Sequence, residues 1–174
     1  MTSWDSLAMM ITRGAGLVID FGPDRGIYEY NGGWFKLTGW GDVHNMLAAN
    51  DGSNDILVVD FGNGRGLYAH NETAWGKLTS WGSTERMLAW NDGSTTNLVA
   101  DFGSGRGLYK FNGSSWSKLT GWDDTIELLE FGSDIVVDFG SGKAIYKRNS
   151  TTWNSLSTWS TGDKFSNVGL QKNL

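Results

Sequence analysis

The triplet Asp-Phe-Gly begins at Asp20, Asp60, Asp101 and Asp138, in steps of 40, 41 and 37 residues. Each copy runs into the same succession. A basic residue sits in a glycine-rich turn (Arg25, Arg65, Arg106, Lys143), followed by a tyrosine (Tyr28, Tyr68, Tyr109, Tyr146) and an asparagine (Asn31, Asn71, Asn112, Asn149). Two tryptophans six positions apart close the copy: Trp34/Trp40, Trp75/Trp81, Trp116/Trp122 and Trp153/Trp159. A period of this length means one supersecondary unit stacked in an array, in which neighbours bury the apolar face that one unit cannot bury alone.

The residues available to that unit favour strands. The chain has 25 glycines and a single proline, Pro23, and its ten tryptophans supply large buried area where aliphatics are scarce. Aromatic and β-branched residues between glycine-rich turns read as many short strands. The first strand of each repeat is expected near 7–12, 44–49, 85–90 and 125–130. The second is expected near 16–21, 55–61, 96–102 and 134–139. Ile56-Leu57-Val58-Val59 is a near-continuous apolar run, as in a strand buried on both faces. The third strand follows the Gly-x-Gly-Arg-Gly turn, where glycine permits the positive φ of a tight hairpin. The fourth reads Trp-x-Lys-Leu-Thr-x-Trp, and alternation puts Trp75, Lys77, Thr79 and Trp81 on one face and Leu78 on the other.

Four antiparallel strands in about 40 residues is the pattern of a propeller blade. The fold expected is therefore all-β: one β-propeller domain over 1–174, with repeats at about 5–40, 41–81, 82–122 and 123–159 and a tail at 160–174. A β-trefoil or β-prism fits less well, since both prefer three-fold repetition.

The repeat Val-x-Asp-Phe-Gly-x-Gly-x-Gly-Leu-Tyr, then Asn-Gly-x-x-Trp-x-x-Leu-Thr-x-Trp, preceded by Asn-Asp-Gly-Ser, resembles the bacterial FG-GAP and VCBS-like (integrin α-type) β-propeller repeats. It is more distantly similar to tectonin and tachylectin-type lectin propellers. The resemblance covers almost the whole chain and speaks to fold more than to function. It implies a calcium loop between the first two strands, written Asp-x-Asp-x-Asp-Gly. The chain departs from that at Arg13-Gly14-Ala15-Gly16, Asn91-Asp92-Gly93-Ser94 and Phe131-Gly132-Ser133-Asp134, and only 50–55 comes near, with two carboxylates. Calcium takes six to eight oxygens, several of them carboxylate. These loops read as Asn, Asp and Gly turns, and no metal or cofactor is expected.

A net charge of −5 without a basic run argues against nucleic acid. No stretch has the length of a membrane span. There is no cysteine and no signal peptide, so the chain is expected to be cytoplasmic, or secreted with a leader absent from this sequence. His44 and His70 occupy different places in their repeats and no nucleophile recurs beside them, so no catalytic constellation is legible. Asn71, Asn112 and Asn149 fit Asn-x-Ser/Thr, but Asn31 recurs without that motif, which favours a turn over a glycan acceptor.

Candidate ligand residues are those that repeat. Asp20, Asp60, Asp101 and Asp138 either accept backbone N–H groups in their turns or pair with Arg25, Arg65, Arg106 and Lys143 around a polar ligand; the structural role is favoured. The first tryptophan of each pair is expected between blades. The second (Trp40, Trp81, Trp122, Trp159, with Trp4 as an N-terminal equivalent) leaves its strand and offers a flat apolar ring with an N–H donor, suited to a sugar face. The alternative is that it belongs to the core. The function expected is non-enzymatic, multivalent binding of glycans. The other reading is a structural or protein-interaction module without a small-molecule ligand, of a kind that could self-assemble.

The tail Lys164-Phe165-Ser166-Asn167-Val168-Gly169-Leu170 aligns with the start of a first strand, since Phe165 and Met87 both lie six residues after their tryptophan. Residues at both ends then compete for one strand position. Either residues 160–174 pack outside the ring or stay disordered, or the ends are cohesive between chains, because an unpaired edge recruits a partner strand; the homo-oligomer is favoured.

Overall fold

The computed structural model describes residues 7–50, 55–62, 64–103, 105–122, 125–140 and 142–157. Trp4, most of the 50–55 loop, Trp159 and the 160–174 tail lie outside the described residues. Among the described residues there are sixteen strands and no helix. Unit I holds β1 (Met9–Arg13), β2 (Gly16–Asp20), β3 (Ile27–Tyr30) and β4 (Trp34–Thr38). Unit II holds β5 (Asn45–Asn50), β6 (Asp55–Asp60), β7 (Leu67–His70) and β8 (Trp75–Thr79). Unit III holds β9 (Arg86–Asn91), β10 (Thr96–Asp101), β11 (Leu108–Phe111) and β12 (Trp116–Thr120). Unit IV holds β13 (Glu127–Phe131), β14 (Asp134–Asp138), β15 (Ile145–Arg148) and β16 (Trp153–Ser155).

Each unit is a four-stranded antiparallel sheet whose strands follow chain order, so every link inside a unit is a hairpin. The second strand of each repeat lies inside its sheet with a neighbour on either side, and its apolar residues face both ways. Val18, Ile27, Met46, Leu57, Val59 and Phe61 form the core between units I and II. Val58 and Leu67 look the other way, onto Leu98, Ala100 and Phe102 of unit III. Trp90, Val99 and Leu108 then meet Leu128, Ile135, Val137 and Phe139 of unit IV. The hydrophobic core is thus three slabs, one at each junction. This is why the second strand carries apolar residues at both parities.

The third and fourth strands slip by one residue in units I, II and III: Ile27 pairs with Thr38 but Tyr28 with Lys36, and the same step recurs at Leu67/Tyr68 and Leu108/Tyr109. The bulged residue is Leu37, Leu78 or Leu119. A bulge leaves its extra residue outside the ladder. The uninterrupted alternation expected for Trp75, Lys77, Thr79 and Trp81 is therefore broken at Leu78. The freed carbonyls find partners in the next unit. Trp75 Nε1 donates to Leu37 O at 3.1 Å, Trp116 Nε1 to Leu78 O at 3.1 Å and Trp153 Nε1 to Leu119 O at 3.3 Å. Trp75, Trp116 and Trp153 pack between units as expected, whereas Trp34, on unit I, is 50% exposed.

The turn after the second strand closes the same way each time. In unit II, Phe61 N–H donates to Gly66 O, and Arg65 and Gly66 donate back to Gly62 O. Gly26, Gly66 and Gly107 have φ of 89°, 92° and 85° there, and in unit IV the position is Ala144 at 74°. Asn71 Oδ1 accepts Ala74 N–H, Asn112 Oδ1 accepts Ser115 N–H and Asn149 Oδ1 accepts Thr152 N–H, so these asparagines build the turn before the fourth strand.

The units follow one another through their first strands: β1 touches β5, β5 touches β9 and β9 touches β13. Among the described residues β13 does not come back to β1.

Candidate functional site

In a meander, the turn after the second strand and the segment after the fourth strand lie at the same end of the sheet. That end carries the candidate residues. Thr38 Oγ1 accepts the N–H of Trp40, Thr79 Oγ1 that of Trp81 and Thr120 Oγ1 that of Trp122, each at 3.1 Å. This local bond turns each tryptophan out of its strand and onto the next unit. Trp40 meets Phe61 and Tyr68 edge-on, at 5.4 and 5.5 Å between centroids. Trp81 meets Phe102 and Tyr109 at 5.3 and 5.2 Å, and Trp122 meets Phe139 and Tyr146 at 5.3 and 4.9 Å.

The basic turn residues close over these rings. The Arg65 guanidinium lies 5.5 Å from the Trp40 centroid, and Arg106 stands at the same distance from Trp81. Lys77 lies 5.6 Å over Tyr68 and Lys118 5.6 Å over Tyr109. Cation–π attraction holds such groups over a ring while their donors stay in water. Trp40 and Trp122 remain 44% and 39% exposed, and Trp81 is half-buried. Each junction therefore presents an aromatic ledge made from two units, and the first two carry cations over it. At the junction of units III and IV the turn residue is Lys143, and Ser155 stands where the others have lysine. Arg25 is exposed in the corresponding turn of unit I, where Lys36 lies 5.4 Å over Tyr28; Trp159 lies outside the described residues.

The aspartates are not on this ledge. Asp20, Asp60, Asp101 and Asp138 are buried. Their Oδ1 atoms accept the N–H of Gly22, Gly62, Gly103 and Gly140. Asp20 Oδ2 accepts Val43 N–H, Asp101 Oδ2 accepts Thr125 N–H, and Asp60 Oδ2 takes both the N–H and the hydroxyl of Thr84. A carboxylate holding several N–H donors is a tie between units, with little capacity left for a ligand. Among the described residues, no ion pair joins Arg25, Arg65 or Arg106 to these aspartates.

The other end of the sheets holds an unrepeated contact. Arg13 is buried against unit II, where it donates through Nε to Asp55 O at 3.0 Å, and a terminal nitrogen lies 3.3 Å from His70 Nδ1. Arginine only donates, so His70 Nδ1 accepts and the ring is neutral. Burial, then the Arg13 charge, hold the His70 pKa below its ordinary 6.5, with Glu72 opposing them. His70 is a packing residue. Among the described residues no group of three or more His, Cys, Asp or Glu side chains could hold a metal, and no helix is long and apolar enough to cross a membrane.

No protein-family model matches the chain, and neither a curated protein nor a solved structure does. The tryptophans and the basic turn residues stand out in the sequence as candidates. Tyr68, Tyr109, Lys77 and Lys118, which complete the ledges, do not. Their signal was present in the repeated tyrosine and the repeated Trp-x-Lys, but the bulge that sets the lysine over the tyrosine was not.

Proposed function

We propose that the four units are blades of a β-propeller of the FG-GAP/VCBS-like kind, and that the chain binds carbohydrate without catalysis at its blade junctions. One observation carries this reading: a partly exposed tryptophan, fixed by a threonine and flanked by cations, recurs at successive junctions. A flat apolar ring suits the C–H face of a pyranose, and guanidinium and ammonium groups beside it suit hydroxyl and carboxylate oxygens. The sugars favoured are acidic ones, such as uronic or sialic acids. Equivalent weak sites on one body gain by avidity, up to about 10²–10⁴-fold over a single site.

A glycan array followed by titration with a polyuronate tests this. Trp40→Ala, Trp81→Ala and Trp122→Ala should each weaken multivalent binding in part, with the Trp122 change smallest because that junction has fewer cations. Loss of all binding from one of them, with the fold intact, points to a unique site instead. Absence of any glycan binding removes the proposal.

A second reading rests on the outer faces. Trp34 is 50% exposed, whereas Trp75, Trp116 and Trp153 at its position are half-buried. On unit IV, Phe131 and Leu156 are 61% and 55% exposed, whereas the matching Trp90 is buried and Leu37, Leu78 and Leu119 are half-buried. The outer face of unit I and that of unit IV are thus the two halves of the contact used at every internal junction. A second copy of the chain fits there, end to end. Sedimentation of the full chain and of Phe131→Glu tests it: assembly lost with the charge supports self-association, and a monomer in both cases rules it out.

A further inference from the structure

The likeness between the outer faces and the inner junctions holds position by position. Toward unit IV, unit III turns Trp90, Val99 and Leu108; at those positions unit IV carries Phe131, Val136 and Ile145 on its own outer face. Toward unit III, unit IV turns Leu128, Ile135 and Val137; unit I carries Met10, Leu17 and Ile19 there. Phe139, Tyr146 and Trp153 complete that face, and unit I repeats them as Phe21, Tyr28 and Trp34. All these positions stay apolar or aromatic, although Met10, Trp34 and Phe131 are exposed. An exposed apolar patch of this kind marks an interaction surface.

The two faces are also matched to each other. Between units I and II, Arg13 of the first strand meets His70 of the third, with 3.3 Å to Nδ1. The same two positions on the outer faces are Phe131 and Tyr30, both exposed. A cation against an imidazole has become a ring against a ring, and the change is made on both sides at once. Two faces turned to water gain nothing from such agreement; two faces in contact do.

We propose that unit IV of one copy docks on unit I of a second in the register of the inner junctions, and that two copies close into a ring of eight units. The proposal rests on the end-to-end reading above and adds the register and the closure. Within one chain β13 does not come back to β1 among the described residues, so the four units do not close by themselves. Repeated head-to-tail contacts either close or run on as a filament. Chains of four units close only at multiples of four, and propellers hold about four to eight blades. Eight is the closure that remains. A ring covers both outer faces of every copy, whereas an open assembly leaves one bare at each end. It also sets the ledges of both copies on one rim, since every ledge lies at the same end of its sheet.

Sedimentation equilibrium and small-angle scattering of the full chain test this. The expected result is a species of two chains whose mass does not rise as the protein is concentrated, with the scattering of a ring. Phe131→Glu and Tyr30→Glu each block one face, at the end of the sheets away from the ledges, and each variant alone should be monomeric. Mixed in equal amounts they should pair again. The Phe131→Glu chain keeps its unit I face and the Tyr30→Glu chain its unit IV face. That pair has one junction in place of two, so it should bind at least about 10²-fold more weakly than wild type. A monomeric wild type overturns this proposal and the end-to-end reading together. An assembly that grows with concentration leaves the reading standing and overturns the ring. Either variant pairing by itself means like face on like face and overturns the register. So does a mixture that stays monomeric while circular dichroism shows both variants folded. If a variant does not fold, the mass and scattering of wild type decide, because two arcs joined by one contact do not scatter as a ring.

Discussion

Trp116 Nε1 reaches across a junction to the carbonyl of Leu78, at 3.1 Å, because the bulge at Leu78 has taken that residue out of its own ladder. The irregularity of one sheet is the acceptor for the next. Trp75 with Leu37 and Trp153 with Leu119 repeat the relationship.

Trp116→Phe keeps most of the apolar contact and removes the donor. It should cost about 1–2 kcal/mol, since the Leu78 carbonyl is left facing a ring edge. Urea unfolding monitored by circular dichroism measures it; no change would mean that the carbonyl is satisfied elsewhere.

Ala144 holds a φ of 74° where the other units have glycine. An L-residue there is strained by about 1–2 kcal/mol. Ala144→Gly should recover much of that strain and raise the melting temperature, at about 2–4 °C per kcal/mol for a chain of this size. The converse, Gly66→Ala, should destabilise by more, because the new Cβ would lie 2.2 Å from Thr79 O. Differential scanning calorimetry of both variants decides.

Asp60→Asn replaces two acceptor oxygens with one and points an amide at donors. Gly62, Ser83 and Thr84 all donate to this carboxylate. A loss of about 2–3 kcal/mol is expected. Hydrogen exchange should show lost protection at Ser83 and Thr84, in the segment that leads into unit III.

His70 sets a pH dependence with a definite sign. Its pKa is lowered in the fold, first by burial and then by Arg13. The unfolded chain therefore takes up a proton near pH 6.5 that the folded chain resists, so this residue's share of stability is full at neutral pH and falls as pH drops below about 6.5. Arg13, Glu29 and Glu72 are the charges around it. His70→Phe, the residue unit III carries as Phe111, should flatten that part of the urea-midpoint profile between about pH 7.5 and about pH 5. An unchanged profile would assign the slope to carboxylates.

The sheets themselves were written plainly in the chain. Hairpins are local, so the Asp-Phe-Gly turn, the Asn71 turn and the apolar run at Leu57-Val58-Val59 each predict their own strand ends. The ledge tryptophans were legible because they repeat. What was hidden lies between units. The pairing of Arg13 with His70 spans 57 residues and occurs once, so no periodicity announces it. The bulge at Leu78 leaves no mark in the hydrophobic pattern because a leucine is acceptable on either face.

The ties between units are short in sequence. Asp20 to Val43 spans 23 residues, Asp60 to Thr84 and Asp101 to Thr125 span 24, and the Trp116 to Leu78 bond spans 38. Chain closure over such lengths is cheap in entropy and fast. Assembly can therefore start at whichever hairpin pair forms first and spread outward in both directions, and the time it takes should depend little on how many repeats the chain contains.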